Sequence, residues 1–117
     1  MRVNIDYVRG LMGCILRSPN VRLTLGELKN KGFDIHSDNG IFHTLLLIEQ
    51  GFFSNENLEN EDRTLTLTES GVAFIRALET PGTIETLREI GYSSLSFLEF
   101  ASTRLARQYE YKKAPLA

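Results

Sequence analysis

The side chains with the most chemical potential in this chain are one thiol and two imidazoles, Cys14, His36 and His43. A Cys–His pair makes a nucleophile when the thiol sits in an exposed, electropositive setting that favours the thiolate. Cys14 lies three residues after Leu11 in an apolar-periodic stretch and reads instead as a small buried hydrophobe. One cysteine and two scattered histidines fall short of the four ligands of a structural zinc site. His43 reads as a packed or surface residue hydrogen-bonded to backbone. The run Asn55-Glu56-Asn57-Leu58-Glu59-Asn60-Glu61-Asp62 is rich in oxygen ligands but lacks the central glycine and the ligand order of a calcium loop. It reads as a solvated loop tip. The HExxH, phosphate-loop and GxSxG patterns are all missing. The sequence therefore predicts no enzyme, no catalytic residue, no metal and no cofactor.

Charge is the more informative signal. The chain carries a formal charge of −2, distributed unevenly. Between Lys31 and Arg63 there is no Lys or Arg, while Asp34, Asp38, Glu49, Glu56, Glu59, Glu61 and Asp62 contribute −7, leaving +5 for the remainder. Such asymmetry bears on partners rather than on fold. The length of 117 residues fits one domain with a core of its own, and 42% apolar residues is an ordinary globular value. A single cysteine suits a reducing compartment. The opening MRVNIDYVRG lacks the apolar stretch of a signal peptide, and no run reaches the length of a membrane span. A cytoplasmic protein with no membrane partner is expected.

These residues need elements to hold them. The spacing of Val8, Leu11, Ile15 and Leu16 predicts a first helix over about 5–18, capped by Asn4 or Asp6 and stopped at Pro19-Asn20. A short strand follows at 21–23. Thr24 and Glu27 form a capping box for a second helix, with Leu25 and Leu28 inward and Gly32 as its stop. Ser37 opens a third helix running to about Gln50, on which Ile41, Leu45 and Ile48 form the expected inward stripe. Phe52-Phe53 and Thr64–Leu67 read as the two strands of a hairpin. Thr68 caps a fourth helix carrying Val72, Ile75 and Leu78. A fifth covers 83–90 with Ile84, Leu87 and Ile90 inward, and a sixth runs from after Ser93 or Ser94 to about Tyr109. Gly32, Gly51 and Gly91 each follow a predicted helix end. Three helices, a hairpin and further helices make the winged-helix order, a helix-turn-helix variant. The fold class is thus mainly α with a small β-hairpin. The whole of 1–117 forms one domain, with a core over about 4–80 and a C-terminal helical extension over about 81–110.

The segment Phe42-His43-Thr44-Leu45-Leu46-Leu47-Ile48-Glu49-Gln50-Gly51 resembles a Tyr-His-x-x-Leu-Leu-x-x-x-Gly pattern. Leu65-Thr66-Leu67-Thr68-Glu69-Ser70-Gly71-Val72-Ala73-Phe74-Ile75 resembles Arg-Leu-Thr-x-x-Gly-x-x-Phe-Leu. With Tyr92-Ser93-Ser94-Leu95 and Phe97-Leu98, these segments are similar to a domain-of-unknown-function family of short phage and prophage proteins, over about 4–108. The resemblance implies a winged-helix fold and a mobile-element origin, and no activity. This chain departs from the pattern with Phe42 in place of Tyr and with a longer, more acidic wing tip.

In a helix-turn-helix protein the second helix of the motif enters the major groove. Here that is the third predicted helix, whose expected outward residues are Asp38, Asn39, Phe42, His43, Thr44, Glu49 and Gln50. Affinity for DNA comes largely from Lys and Arg on phosphate, and this helix has neither. The leading expectation is a protein-interaction module whose acidic face comprises Asp38, Glu56, Glu59, Glu61 and Asp62, used for steering and specificity. The alternative is a DNA-binding transcriptional regulator contacting bases through Asn39, His43 and Gln50 and phosphates through Lys29 and Lys31. On the last helix Leu95, Leu98, Ala101 and Leu105 form one apolar stripe. Phe97, Phe100 and Tyr111 lie off it and offer a candidate homodimer seam.

Overall fold

A computed structural model describes residues 2–54, 63–91 and 94–113. It is mainly helical, with a small antiparallel sheet. Helix α1 spans Ile5–Leu16, and the side chain of Asn4 caps it by accepting from the backbone N–H groups of Asp6 and Tyr7. A single 3₁₀ turn at Pro19–Val21 reverses the chain and leads into strand β1, Arg22–Thr24.

Helix α2 is Leu25–Asn30, entered through the reciprocal capping box of Thr24 and Glu27 and closed before Gly32, whose φ is +96°. Helix α3 is Asp38–Glu49, with the Ser37 hydroxyl accepting from Gly40 N–H at 3.0 Å. Gly51 follows at φ +84°, the left-handed value that a glycine reaches without strain.

The hairpin expectation is corrected in part. Strand β2, Thr64–Thr66, pairs with β1 in the register Arg22↔Thr66, Leu23↔Leu65 and Thr24↔Thr64, with the central pair 42 positions apart in sequence. Among the described residues, the Phe52–Ser54 segment meets β2 and the residues after it through the Phe53↔Leu67 bridge and two backbone bonds, Ser54 N–H to Thr66 C=O and Thr68 N–H to Phe52 C=O, each 3.0 Å.

Helices α4 (Glu69–Leu78), α5 (Thr83–Ile90) and α6 (Leu95–Lys113) complete the chain. Thr68 caps α4 through its hydroxyl, and Gly71 lets that helix sit directly on Phe52, since a Cβ there would lie 2.2 Å from the Phe52 carbonyl oxygen. Phe52 and Phe74 then stack with centroids 4.4 Å apart. One core collects Ile5, Val8, Leu11, Met12 and Ile15 of α1, Leu25 and Leu28 of α2, Leu65 of β2, Ile75 and Leu78 of α4, Leu87 of α5 and Leu98 of α6. Cys14 is half-buried and packs against it. Leu95, Leu98 and Ala101 are buried as the apolar stripe requires, with Leu105 half-buried. Ile90 faces outward instead of inward, at the last position of α5, where no further turn of helix covers it. Helix α6 also continues past Tyr109 to Lys113. Among the described residues no helix is long and apolar enough to cross a membrane.

The capping box carries a pH signature. The Glu27 carboxylate accepts from Thr24 N–H at 3.1 Å, and this bond, followed by the Thr24 side-chain bond, holds its pKa below the ordinary carboxylate value. A depressed pKa adds stability above the unfolded-state value, and that stability is lost as pH falls through the folded value. Glu27→Gln keeps a capping-box acceptor without a titrating group. Urea midpoints followed downward from about pH 4.3, the ordinary glutamate value, are expected to fall less steeply in Glu27→Gln than in the parent chain.

Candidate functional site

The site is defined by how α3 is rolled about its own axis. The expected inward stripe of Ile41, Leu45 and Ile48 is not the buried one. Ile41 keeps 43% and Leu45 52% of their surface exposed, Ile48 is half-buried, and the core side is Gly40, His43, Thr44 and Leu47. His43 and Thr44, expected to face outward, are fully buried.

Two contacts account for this roll. At Gly40 the helix backbone lies against the preceding loop, where an added Cβ would sit 2.1 Å from the Asp34 carbonyl oxygen and 2.7 Å from Ile35 Cα. Only glycine fits so close an approach. Three residues later, His43 Nε2 accepts from the Asn4 backbone N–H at 2.9 Å, while Nδ1 lies 2.8 Å from the Asn39 carbonyl oxygen. A backbone N–H can only donate, so the ring proton is on Nδ1 and is donated to Asn39. Tyr7 lies over the imidazole at 4.8 Å and meets Phe33 edge-on at 5.6 Å. Burial, and then the charge of Asp34, push the Tyr7 hydroxyl above its ordinary pKa. His43 therefore docks the start of α1 onto α3 and cannot reach a base edge. The sequence signal for it was a glycine and a histidine three apart on one helical face.

The outward face that results is apolar in the middle and acidic at the ends. Asp38, Ile41, Leu45 and Glu49 follow one another at three- and four-residue steps along the exposed side, and all four are exposed. Phe42, Leu46 and Ile48 flank them, half-buried. At the C-terminal end, Gln50 donates to Glu99 of α6 at 3.4 Å and accepts from Ser96 at 3.4 Å, bringing a further carboxylate beside α3. Of the expected acidic face, Asp38 is in place, while Glu56, Glu59, Glu61 and Asp62 lie outside the described residues.

The expected DNA-contact set does not assemble on one surface. Asn39 is exposed, His43 is buried, and Gln50 is tied to α6. Lys29 and Lys31 are exposed around the end of α2, with Lys29 beside the loop segment Asp34–His36 that leads into α3. Two arginines are engaged elsewhere, Arg17 with Glu79 at 2.9 Å and Arg88 with Asp6.

On α6, Phe100 (61% exposed) and Tyr111 (85% exposed) are free of the core, and Arg104 lies over the Phe100 ring at 5.6 Å. Phe97 departs from the expected seam, being half-buried against the core. Among the described residues no three His, Cys, Asp or Glu side chains converge on a point. Compared with protein-family models, curated proteins and solved structures, the chain matches none.

If these contacts set the roll, Gly40→Ala is expected to cost about 1–3 kcal/mol through overpacking. Gly26→Ala, whose Cβ would meet only Thr24 Oγ1 at 4.0 Å, is the near-neutral control. The Thr44 hydroxyl is buried with no hydrogen-bond partner among the described residues. Replacing such a group with an apolar isostere removes a desolvation cost. Thr44→Val is expected to hold or raise the urea midpoint, and a marked fall would contradict the buried placement of this residue.

Proposed function

We propose that this chain is a non-enzymatic winged-helix protein of the phage and prophage type that acts in the cytoplasm by binding another protein through the outward face of α3. The winged-helix reading is supported by the element order and by the base of the sheet, where β2 has β1 on one side and the Phe52–Ser54 segment on the other. In such an arrangement α3 is the helix offered to a partner.

The observation that carries the functional reading is the chemistry of that face, with Ile41 and Leu45 at its centre, Asp38 and Glu49 at its ends, and neither Lys nor Arg anywhere on the helix. A helix read into a major groove needs cations for phosphate and polar side chains for base edges. Here the groove would meet carboxylates and aliphatic side chains. A helix apolar on more than one side calls for cover on more than one side. Burying the exposed parts of Ile41 and Leu45 draws on roughly 25 cal/mol per Å². The acids at either end then set orientation and select a partner carrying Lys or Arg around an apolar ridge. The acidic segment 55–62 adds to the same sign of charge by sequence.

The competing reading, a DNA-binding regulator, draws on the exposed Lys29, Lys31 and Asn39. Retention on mixed-sequence duplex DNA separates the two. No retention at low salt is expected. Tight retention that falls steeply as salt rises would reverse the ranking.

A further inference from the structure

A second face of the molecule is the chemical counterpart of the first. Helix α4 and the C-terminal half of α6 leave an open groove of about 690 Å³ between them. Ala73, Ala77 and Ala106 line it with small side chains, and Arg76, Arg107 and Tyr111 line it with large ones. Among the described residues neither arginine has an ion-pair partner. Glu110 is the one acid in the lining, so the groove keeps an excess of positive charge. Small residues along two helices let a third helix approach closely, since a helix with side chains is about 10–12 Å across. The outer edge of α6 carries Phe100 and Arg104 in contact, extending the basic and aromatic surface beyond the groove.

Charge decides which faces can meet. Two copies of α3 facing one another oppose Asp38 and Glu49 to each other, or each to itself, in either direction. Two copies of α6 oppose Arg104 and Arg107 in the same way. Like charges directly opposed are unfavourable, whereas the outward face of α3 against the α4–α6 groove brings carboxylates to a lining with an excess of positive charge and aliphatic side chains to one rich in alanine. We propose that the α4–α6 groove of one copy receives the outward face of α3 from a second copy. This rests on the reading of α3 as a protein-binding face and names its partner. The two faces are different surfaces, so the contact is heterologous. It propagates head to tail, or closes into a ring where the rotation between copies allows.

Two exposed substitutions test it. Leu45→Asp spoils the inserted face and Ala73→Trp fills the groove, and far-UV circular dichroism on each checks that the fold is kept. Sedimentation velocity over a dilution series is expected to reveal concentration-dependent association of the parent chain, weakened by salt. Each variant alone is expected to weaken it by about tenfold or more, a change of the size that separates a central contact from a peripheral one. The decisive step is mixing the two variants. One retains an intact groove and the other an intact α3, so the mixture is expected to recover association that neither variant has by itself. The proposal is overturned if the parent chain sediments as a monomer throughout. It is equally overturned if either variant associates like the parent, or if both lose association and the mixture fails to regain it, the pattern of a contact between two copies of the same surface. A monomeric parent would leave the DNA-retention result untouched, so failure here is distinguishable from failure of the α3 reading itself.

Discussion

The rest of the molecule's surface chemistry follows from the seat of α3. Gly40 allows the helix to touch the Asp34–Ile35 backbone, and His43 bridges the Asn4 N–H and the Asn39 carbonyl from a fully buried position. Together these two contacts fix one rotational setting out of several that a helix with apolar side chains on every side could adopt. A turn of about 100° per residue moves Ile41 and Leu45 from core to solvent, and the outward face changes from polar to aliphatic. A buried imidazole with both nitrogens paired is a structural device here, and its burial removes it from any recognition role.

That setting creates tension between the two sides of α3. Its inner side is stapled by short polar bonds and a close backbone approach, while its outer side carries aliphatic surface that a lone domain gains nothing by displaying. Scattered exposed apolar side chains are ordinary, but consecutive ones on a helix bounded by carboxylates at both ends form a patch with direction. In the proposed contact with a protein, the acids would bias encounter toward cationic surfaces and the aliphatic centre would supply the contact area. The groove between α4 and α6 has the opposite sign and an alanine-rich lining, which makes the two faces of one chain complementary.

What the sequence reveals is whatever short-range chemistry decides. Asn4, the Thr24–Glu27 box, Ser37 and Thr68 mark helix starts because each cap acts within three residues, and Gly32, Gly51 and Gly91 mark ends because a left-handed φ is a local demand. The roll of α3 is hidden because Ile41, Phe42, Leu45, Leu46, Leu47 and Ile48 are spread around the helix, while the polar His43 and Thr44 point to the wrong side by being buried, so periodicity gives no unique face. The deciding contacts join Asn4 to His43 and Asp34 to Gly40, neither of which follows from helical spacing. The pairing of β2 with β1 is hidden for the same reason, since alternation identifies a strand without naming its neighbour. A glycine inside a helix costs roughly 0.5–1 kcal/mol relative to alanine. Gly40, with His43 three residues on along the same helical face, was therefore the legible hint of a close approach.

Which side of α3 meets water is read directly by thiol accessibility. With Cys14 changed to Ser, single cysteines are placed at Leu45→Cys and Leu47→Cys, and their rates of maleimide labelling are compared in dilute native and denatured protein. Leu45→Cys is expected to label at close to its denatured rate and Leu47→Cys to be strongly protected, since Leu47 is fully buried. Protection at position 45 in the dilute monomer, with rapid labelling at 47, would place the other face outward and remove the basis for both binding proposals.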